Sequence, residues 1–438
     1  MASPNKTRVQ VATDPAFSNI VHDVEGAYTT ALQVAEEVLP QGVNLYARGM
    51  HGHPTTGDSS WSTTVQFQIK LAWSTYNGSA DGMPITLNNY NSSYFSILEI
   101  SENKFSVMYH GFDGLIYNAY NQIVSISGST ITSGEIVKCF NFDIAGTWRI
   151  FQILLGGDRI FISTRNNSYN GWVYARILSI DNVNNKVIPN PSVQCNSAYS
   201  YSLVPFKVSD TKVIIFFGNA NDNYYLYSKM LTISGTTISV GSAVQGKQLA
   251  VEFFTILELN SGKLLMISKY FNYDPLYVRI GTINGDNVTF GSDILLAEHA
   301  VSSVRTLEIS ENRVCVIYKK SIDSSYWLKL LNIQNDTITV HHPGYQLTNY
   351  NSASFYFNSL DENRIIVGIT EVSDRNYLNV YVVDLGDTSV NGVTVASRTV
   401  TDIDFPQIIK LPEFNKLLLF YQNKANSNSV TGKILVDN

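Results

Sequence analysis

Cysteine is nearly missing from this chain. Its 438 residues include three, at 139, 195 and 315. An odd number argues against a disulfide framework, and no pair has zinc-ligand spacing. The three are expected to be reduced packing residues. Charge is scarce too: Asp, Glu, Lys and Arg make up 15%, with a net charge of −6. That leaves no basic face for nucleic acid. No apolar run approaches the length of a membrane span, so no membrane insertion is expected. The opening MASPNKTRVQ has no apolar segment of the secretory kind, so no signal peptide is expected and the chain should fold in the cytoplasm. There is no Gly-rich phosphate loop, Cys-x-x-Cys pair, serine nucleophile elbow or calcium loop. His51 and His53, and the pair His341-His342, have no carboxylate at supporting spacing. Neither a metal nor a cofactor is expected.

What is abundant is apolar and aromatic. Hydrophobic residues reach 44%, with 26 Tyr and 21 Phe. Surfaces rich in Tyr, Asn and Ser suit hydrogen bonding and stacking with sugars or proteins. Tyr and Thr also simply favour strands.

One phrase recurs: LEISENK at 98–104 and LEISENR at 307–313. Looser copies are LLGGDR, KVSDTK, ELNSGK, SLDENR and LPEFNK. Their basic residues are Lys104, Arg159, Lys212, Lys263, Arg313, Arg364 and Lys416, separated by steps of 55, 53, 51, 50, 51 and 52. A fixed period of this size marks a repeat architecture. The units run roughly 90–141, 142–197, 198–248, 249–299, 300–349, 350–400 and 401–438. Each reads as four strands, here a to d. Strand a precedes the basic residue, as in YFSILEI (94–100). Strand b follows it, as in KLLMIS (263–268). Strand c opens with an aromatic or branched residue, as in WVYARI (172–177) and YWLKLL (326–331). The c–d turns ISGSTIT (126–132), ISGTTIS (233–239) and INGDNVT (283–289) carry a Gly suited to positive φ.

Four antiparallel strands at this period describe a β-propeller blade. The last unit stops at Asn438 after strand c, so its strand d is missing. PITLNNYNSSYF (84–95) matches YQLTNYNSASF (345–355), a d strand running into the next a. Residues 84–89 are therefore expected to supply the missing strand. The fold class is all-β, a seven-bladed propeller over 83–438 closed by an N-terminal strand.

Residues 1–70 differ. RVQVATD (8–14) and NLYARGMHG (44–52) alternate as strands, SNIVHDV (18–24) reads as another, and TTALQVAEEVLP (29–40) fits helix or strand. Tyr46-Ala47-Arg48, a Gly-containing loop, and Trp61-Ser62 entering WSTTVQFQIK resemble the end of fibronectin type III-like modules, in particular those of tailed-bacteriophage structural proteins. The resemblance covers about residues 7–69. Such a module opens with two more strands than this chain has room for, so an incomplete sandwich is expected, with open edges for pairing. Residues 71–82 read as a linker.

The seven basic turn residues occur in every unit, which favours a structural role over an anion-binding ring. The b–c loops, on the opposite face beside the d–a crossovers, vary most and suit binding. The candidates there are Phe112, Asp113, Asn166, Tyr169, Asp222, Tyr270, Tyr273, Asp274, Tyr326, Asp374 and Arg375. Asn, Asp and Ser in such loops also simply make turns. Asp143, Glu252, Asp402 and Asp404 fall near the central channel, but the sequence does not pick out the pair a glycosidase needs. No sialidase-type Ser-x-Asp-x-Gly-x-x-Trp box is present. No catalytic residue is expected.

The phage resemblance implies a virion protein of the tail or a fibre. Residues 1–75 would join other virion proteins, the propeller would bind a host surface glycan or receptor, and many copies would add up weak contacts. A head decoration or collar protein, and a glycan-processing enzyme, are the alternatives.

Overall fold

The structure is a computed structural model. It describes residues 6–27, 44–53, 57–58, 62, 65–68, 85–87, 91–127, 130–144, 150–166, 171–259, 262–271, 275–311, 313–334, 336–341, 344–348, 352–371, 377–400, 403–411, 416–423 and 429–436. These residues are all-β apart from one short 3-10 turn, Ala220–Asp222, and form several antiparallel sheets. The chain divides into two compact bodies, Met1–Trp73 and Ser74–Asn438. Residues 29–40, Trp61 and the segment 71–82 lie outside the described residues.

In the N-terminal body Lys6–Ala12 is the central strand. It pairs with Ile20–Ala27 on one side and Asn44–His53 on the other. Asn44–His53 also pairs with Gly57–Asp58 and Val65–Gln68. A polar ladder crosses the three longest strands. Arg8 grips Asp23 with two bonds of 2.8 and 2.6 Å, Gln10 donates to Asp23 at 2.7 Å, and Arg48 donates to Gln10 at 2.7 Å.

In the larger body each sequence unit pairs its strands in the order a, b, c, d. The first has Asn91–Ser101, Lys104–Phe112 and Tyr117–Ser127, with an outer strand in two pieces, Thr130–Ser133 and Val137–Lys138. The a–b turn is tight: Ser101 pairs with Lys104, and Asn103 takes φ 62°. Asn tolerates that left-handed backbone better than most residues. The c–d turns take the same conformation through Gly235 (φ 58°) and Gly285 (φ 63°), as the Ile-Ser/Asn-Gly pattern predicts. The outer strand of the third unit runs unbroken into strand a of the fourth, as Thr237–Glu258, so these two units share one sheet of eight strands.

The last unit has Ile403–Leu411, Lys416–Asn423 and Ser429–Val436. Its fourth strand is Ile85–Thr86: Thr431 pairs with Thr86 and Gly432 with Ile85. The a strands lie side by side in sequence order, and the last lies against the first. There Gln407 Nε2 donates to Phe95 O at 2.7 Å.

The core sits between neighbouring sheets. Strand b is apolar on both faces, because each face meets a different neighbour. In Arg313–Lys320, Val314 and Val316 pack with the fourth unit, whereas Cys315 and Ile317 pack with the sixth. Each fully buried side chain of this size contributes about 1.5–3 kcal/mol. Cys139, Cys195 and Cys315 are free and buried within these layers. Burial pushes the thiols of Cys139 and Cys195 up to about 12.

The basic turn residues join sheet to sheet. Lys104 Nζ reaches Asn182 Oδ1 (2.7 Å), Arg159 Nη1 reaches Gly235 O (2.8 Å), and Lys212 Nζ reaches Asp286 (3.3 Å). Lys263 pairs with Asp336, and Arg313 donates to Gly386 O and to Glu362 O. Each partner belongs to the following unit, and residues 182, 235, 286, 336 and 386 all lie at its c–d hairpin. Arg364 instead holds Asp361 of its own turn at 2.6 Å. The side chain of Lys416 lies outside the described residues.

These contacts differ in worth. Arg313→Ala is expected to cost about 1–3 kcal/mol, because it leaves carbonyls without their charged donor. Lys212→Ala should cost about 0–1 kcal/mol, since both members of its pair are largely exposed. Urea denaturation of the two variants beside the parent checks the contrast.

Candidate functional site

A second basic series runs along strand c. Arg176, Lys229, Arg279 and Lys329 each follow an aromatic residue by two positions: Tyr174, Tyr227, Tyr277 and Trp327. Two residues apart on a strand means the same face. Three of the cations reach back to the preceding unit's outer strand. Arg176 donates to Cys139 O, Lys229 Nζ to Cys195 O at 2.8 Å, and Lys329 Nζ to Leu296 O at 2.6 Å. Arg279 departs from this. It turns into its own sheet, fully buried, and pairs with Asp293 at 3.3 Å.

Between the fourth and fifth units this arrangement opens into a pocket of about 300 Å³. Trp327, Tyr318 and Lys329 line it. Glu298 and His299, both exposed, come from the crossover between units, and Gly344 also lines the pocket. The pocket thus opens on the b–c loop face. Local bonding sets each part. Trp327 Nε1 donates to Ser325 Oγ at 2.9 Å, which orients the indole, and Lys320 Nζ sits 3.8 Å from its ring centre. A Cβ at Gly344 would come within 3.1 Å of Lys329 Cε, so a larger residue would crowd Lys329. Desolvation lowers the pKa of Lys329, and Glu298 partly opposes the shift. Desolvation also pushes Tyr318 up to about 12. The pocket therefore brings an aromatic surface, a carboxylate, an imidazole and an ammonium together in one space of about 300 Å³.

The equivalent positions in other units vary. Between the second and third, Tyr227 OH donates to Asp222 at 2.5 Å and Lys229 also reaches Asn196 Oδ1 at 3.4 Å. Between the first and second, Tyr174 packs 4.9 Å from Phe142.

The residues singled out by sequence fall in different places. Tyr169, Tyr273, Asp274, Asp374 and Arg375 lie outside the described residues. Phe112 is 38% exposed and tilts against Tyr117 at 5.1 Å. Asp113 shapes its own loop: it accepts from Leu115 N, Ile116 N and Asn118 Nδ2, and these bonds hold its carboxyl below the usual range. Asp222 touches the aromatic–cation series at Tyr227, and Tyr270 touches it at Tyr277 and Arg279. Asn166, Tyr270 and Tyr326 are buried, at 1, 5 and 1% exposure. Tyr270 OH is committed to Asp293 at 2.9 Å, and the Tyr326 ring packs 4.5 Å from Phe355.

Of the carboxylates near the channel, Glu252 pairs with Lys269 at 2.8 Å and Asp143 accepts from Tyr117 N at 3.3 Å. Asp402 and the side chains of Asp404, His51 and His53 lie outside the described residues. Among the described residues no group of three His, Cys, Asp or Glu could hold a metal ion.

Sequence reasoning missed Trp327 and Lys329. The signal was present as the aromatic-x-basic pattern of YAR, YSK, YVR and WLK within strand c.

No protein-family model matches the chain, and no curated protein matches it. Solved structures do. The BP39L lectin from Burkholderia pseudomallei aligns over 80% of this chain and 97% of its own, at 10% identity and a TM-score of 0.58. The fold is β-propeller-like. The NanB sialidase from Streptococcus pneumoniae aligns over 100% of this chain and 95% of its own, at 10% identity and a TM-score of 0.46. A protein from Lactobacillus plantarum aligns over 91% and 96%, at 10% identity and 0.49. At these identities the likeness is one of fold. What the propeller-like scaffold contributes here is a set of neighbouring sheets, one seam of which holds the Trp327 pocket.

Proposed function

We propose that the chain is a carbohydrate-binding protein built on a seven-bladed propeller, with its binding sites in the seams between blades. The Trp327 pocket carries this reading. A sugar ring offers an apolar face for the indole and hydroxyls for Glu298 and Lys329, and the cavity is at the small end of the range for small-molecule sites. The fold likeness to a lectin agrees with it. Seven blades are supported by seven sequence units, by the pairing of residues 85–86 with 431–432, and by contact between the last a strand and the first.

A glycan array identifies the ligand, and calorimetry with the monovalent sugar tests the site. Trp327→Ala is expected to weaken binding at this seam by about tenfold or more, as for a buried aromatic anchor. Unchanged affinity in this variant, or an empty array, overturns the assignment. Sugars released from a bound polysaccharide would favour the glycan-processing enzyme instead.

The proposal extends to location. We infer a virion protein of the tail or a fibre, folded in the host cytoplasm, that joins other virion proteins through residues 1–75 and brings several copies to a host surface. The tailed-phage resemblance of its fibronectin type III-like module supports this. So does Ile20–Ala27, which among the described residues has a partner strand on one side. Deleting residues 1–75 should abolish incorporation into particles. A truncated protein that still assembles refutes the docking role, and its position in the particle distinguishes tail from head or collar.

A further inference from the structure

The innermost strands carry one residue out of keeping with its neighbours. Ser96, Phe151, Val204, Thr255, Tyr356 and Gln407 occupy equivalent positions, each paired with the b-strand residue that faces it at the same level. None is charged. The fifth unit places Arg305 there, paired with Ile317. Arg305 enters a cavity of about 200 Å³ on the innermost strands of the fourth, fifth and sixth units, shared with Thr255, Thr306, Tyr356 and Asn358. The guanidinium lies 5.2 Å from the Tyr356 ring centre and 5.7 Å from that of Phe355. Among the described residues no carboxylate lines the cavity. The polar groups beside Arg305 are two threonine hydroxyls, a phenol and an amide. Asn358 Oδ1 already accepts from Ser359 N at 2.8 Å, and its amide nitrogen donates to Ile408 O at 3.4 Å.

The Arg305 side chain is partly buried, and a cation drawn out of water is retained where a counter-charge compensates it. Two aromatic rings compensate only in part. A guanidinium fork ringed by hydroxyls matches an oxyanion, whose two oxygens take parallel N–H bonds. We propose that the central cavity at Arg305 is a binding site for a small oxyanion of the phosphate or carboxylate type. The anion bridges three neighbouring units and is linked to their stability by mass action.

Thermal melting of the full chain tests this at fixed pH and ionic strength, with sodium phosphate or sodium acetate replacing sodium chloride. The probe that matches the site should raise the Tm saturably in the parent, and the arm that responds assigns phosphate or carboxylate. Arg305→Met should abolish the saturable rise, and Arg305→Lys should retain part of it, since the charge stays while the fork is lost. Equal responses in parent and Arg305→Met overturn the proposal, because they would reflect the general effect of salts on protein surfaces. If Arg305→Met does not fold, crystals of the parent soaked in selenate decide. An anomalous peak within hydrogen-bonding distance of the guanidinium supports the site, and an empty cavity overturns it.

Discussion

Replacing Leu87 with Ala is expected to destabilise the protein by about 2–5 kcal/mol, the cost of emptying a buried leucine site. Leu87 is 3% exposed, and its N–H donates to Val430 O at 2.8 Å. Its side chain packs with Phe105, Val107, Leu418, Phe420 and Val430, which belong to the first and last units. Residues 85–87 are few, yet they are the outer strand of the last unit. Without them Ser429–Val436 has a free edge, and the last and first units lose their joint core. Leu87→Asp should prevent stable folding, since it buries a carboxylate among these side chains. Urea denaturation and protease cleavage near residues 429–436 read the effect. Leu115→Ala, at a site 88% exposed, should change stability by less than about 0.5 kcal/mol. Equal effects at 87 and 115 would refute the closing role.

The second large effect is one of pH. His110 lies near the end of the first b strand, fully buried, and burial pushes its pKa down to about 3. The unfolded chain takes up a proton near 6.5, whereas the folded one stays neutral until about 3. As pH falls through that window the unfolded state binds the extra proton, so stability falls with it. The slope is about 1.4 kcal/mol per pH unit, about 4 kcal/mol in all by pH 3.5. Carboxylates held low, such as Asp113 and Asp181, add losses at the acid end. They do so equally in His110→Gln. Stability of the two proteins measured at pH 7, 6, 5 and 4 should therefore diverge steadily in slope. Parallel curves would show that His110 is not the titrating group.

Much of the architecture is legible in the residues. Strand b reads as an unbroken apolar run, and that signals burial on both faces, as Val314–Ile317 show. The a–b and c–d turns announce themselves through Asn and Gly at positions of positive φ. The missing last strand is visible because 84–95 repeats the wording of 345–355. The structural role of the turn cations is legible from their regularity. That they reach the next unit's c–d hairpin is not, because the partners lie roughly seventy-five residues away, as with Arg159 and Gly235.

The site is harder to read, for a reason visible at Tyr326 and Trp327. Both open strand c, and both are aromatic. Successive residues of a strand face opposite sides. Tyr326 therefore enters the core against the sixth unit, while Trp327 faces the seam with the fourth. Tyr270 likewise turns inward to Asp293, and Asp222 turns toward Tyr227. Loop composition locates the face but not the direction of each side chain.

By itself the sequence determines the strands, the units and the order in which they close, because those follow from local periodicity and from repetition. The Trp327 pocket and the Arg305 cavity were decided by the tertiary structure alone. Each is assembled from units about fifty residues apart, and the packing of one sheet on the next sets which side chains meet across the seam.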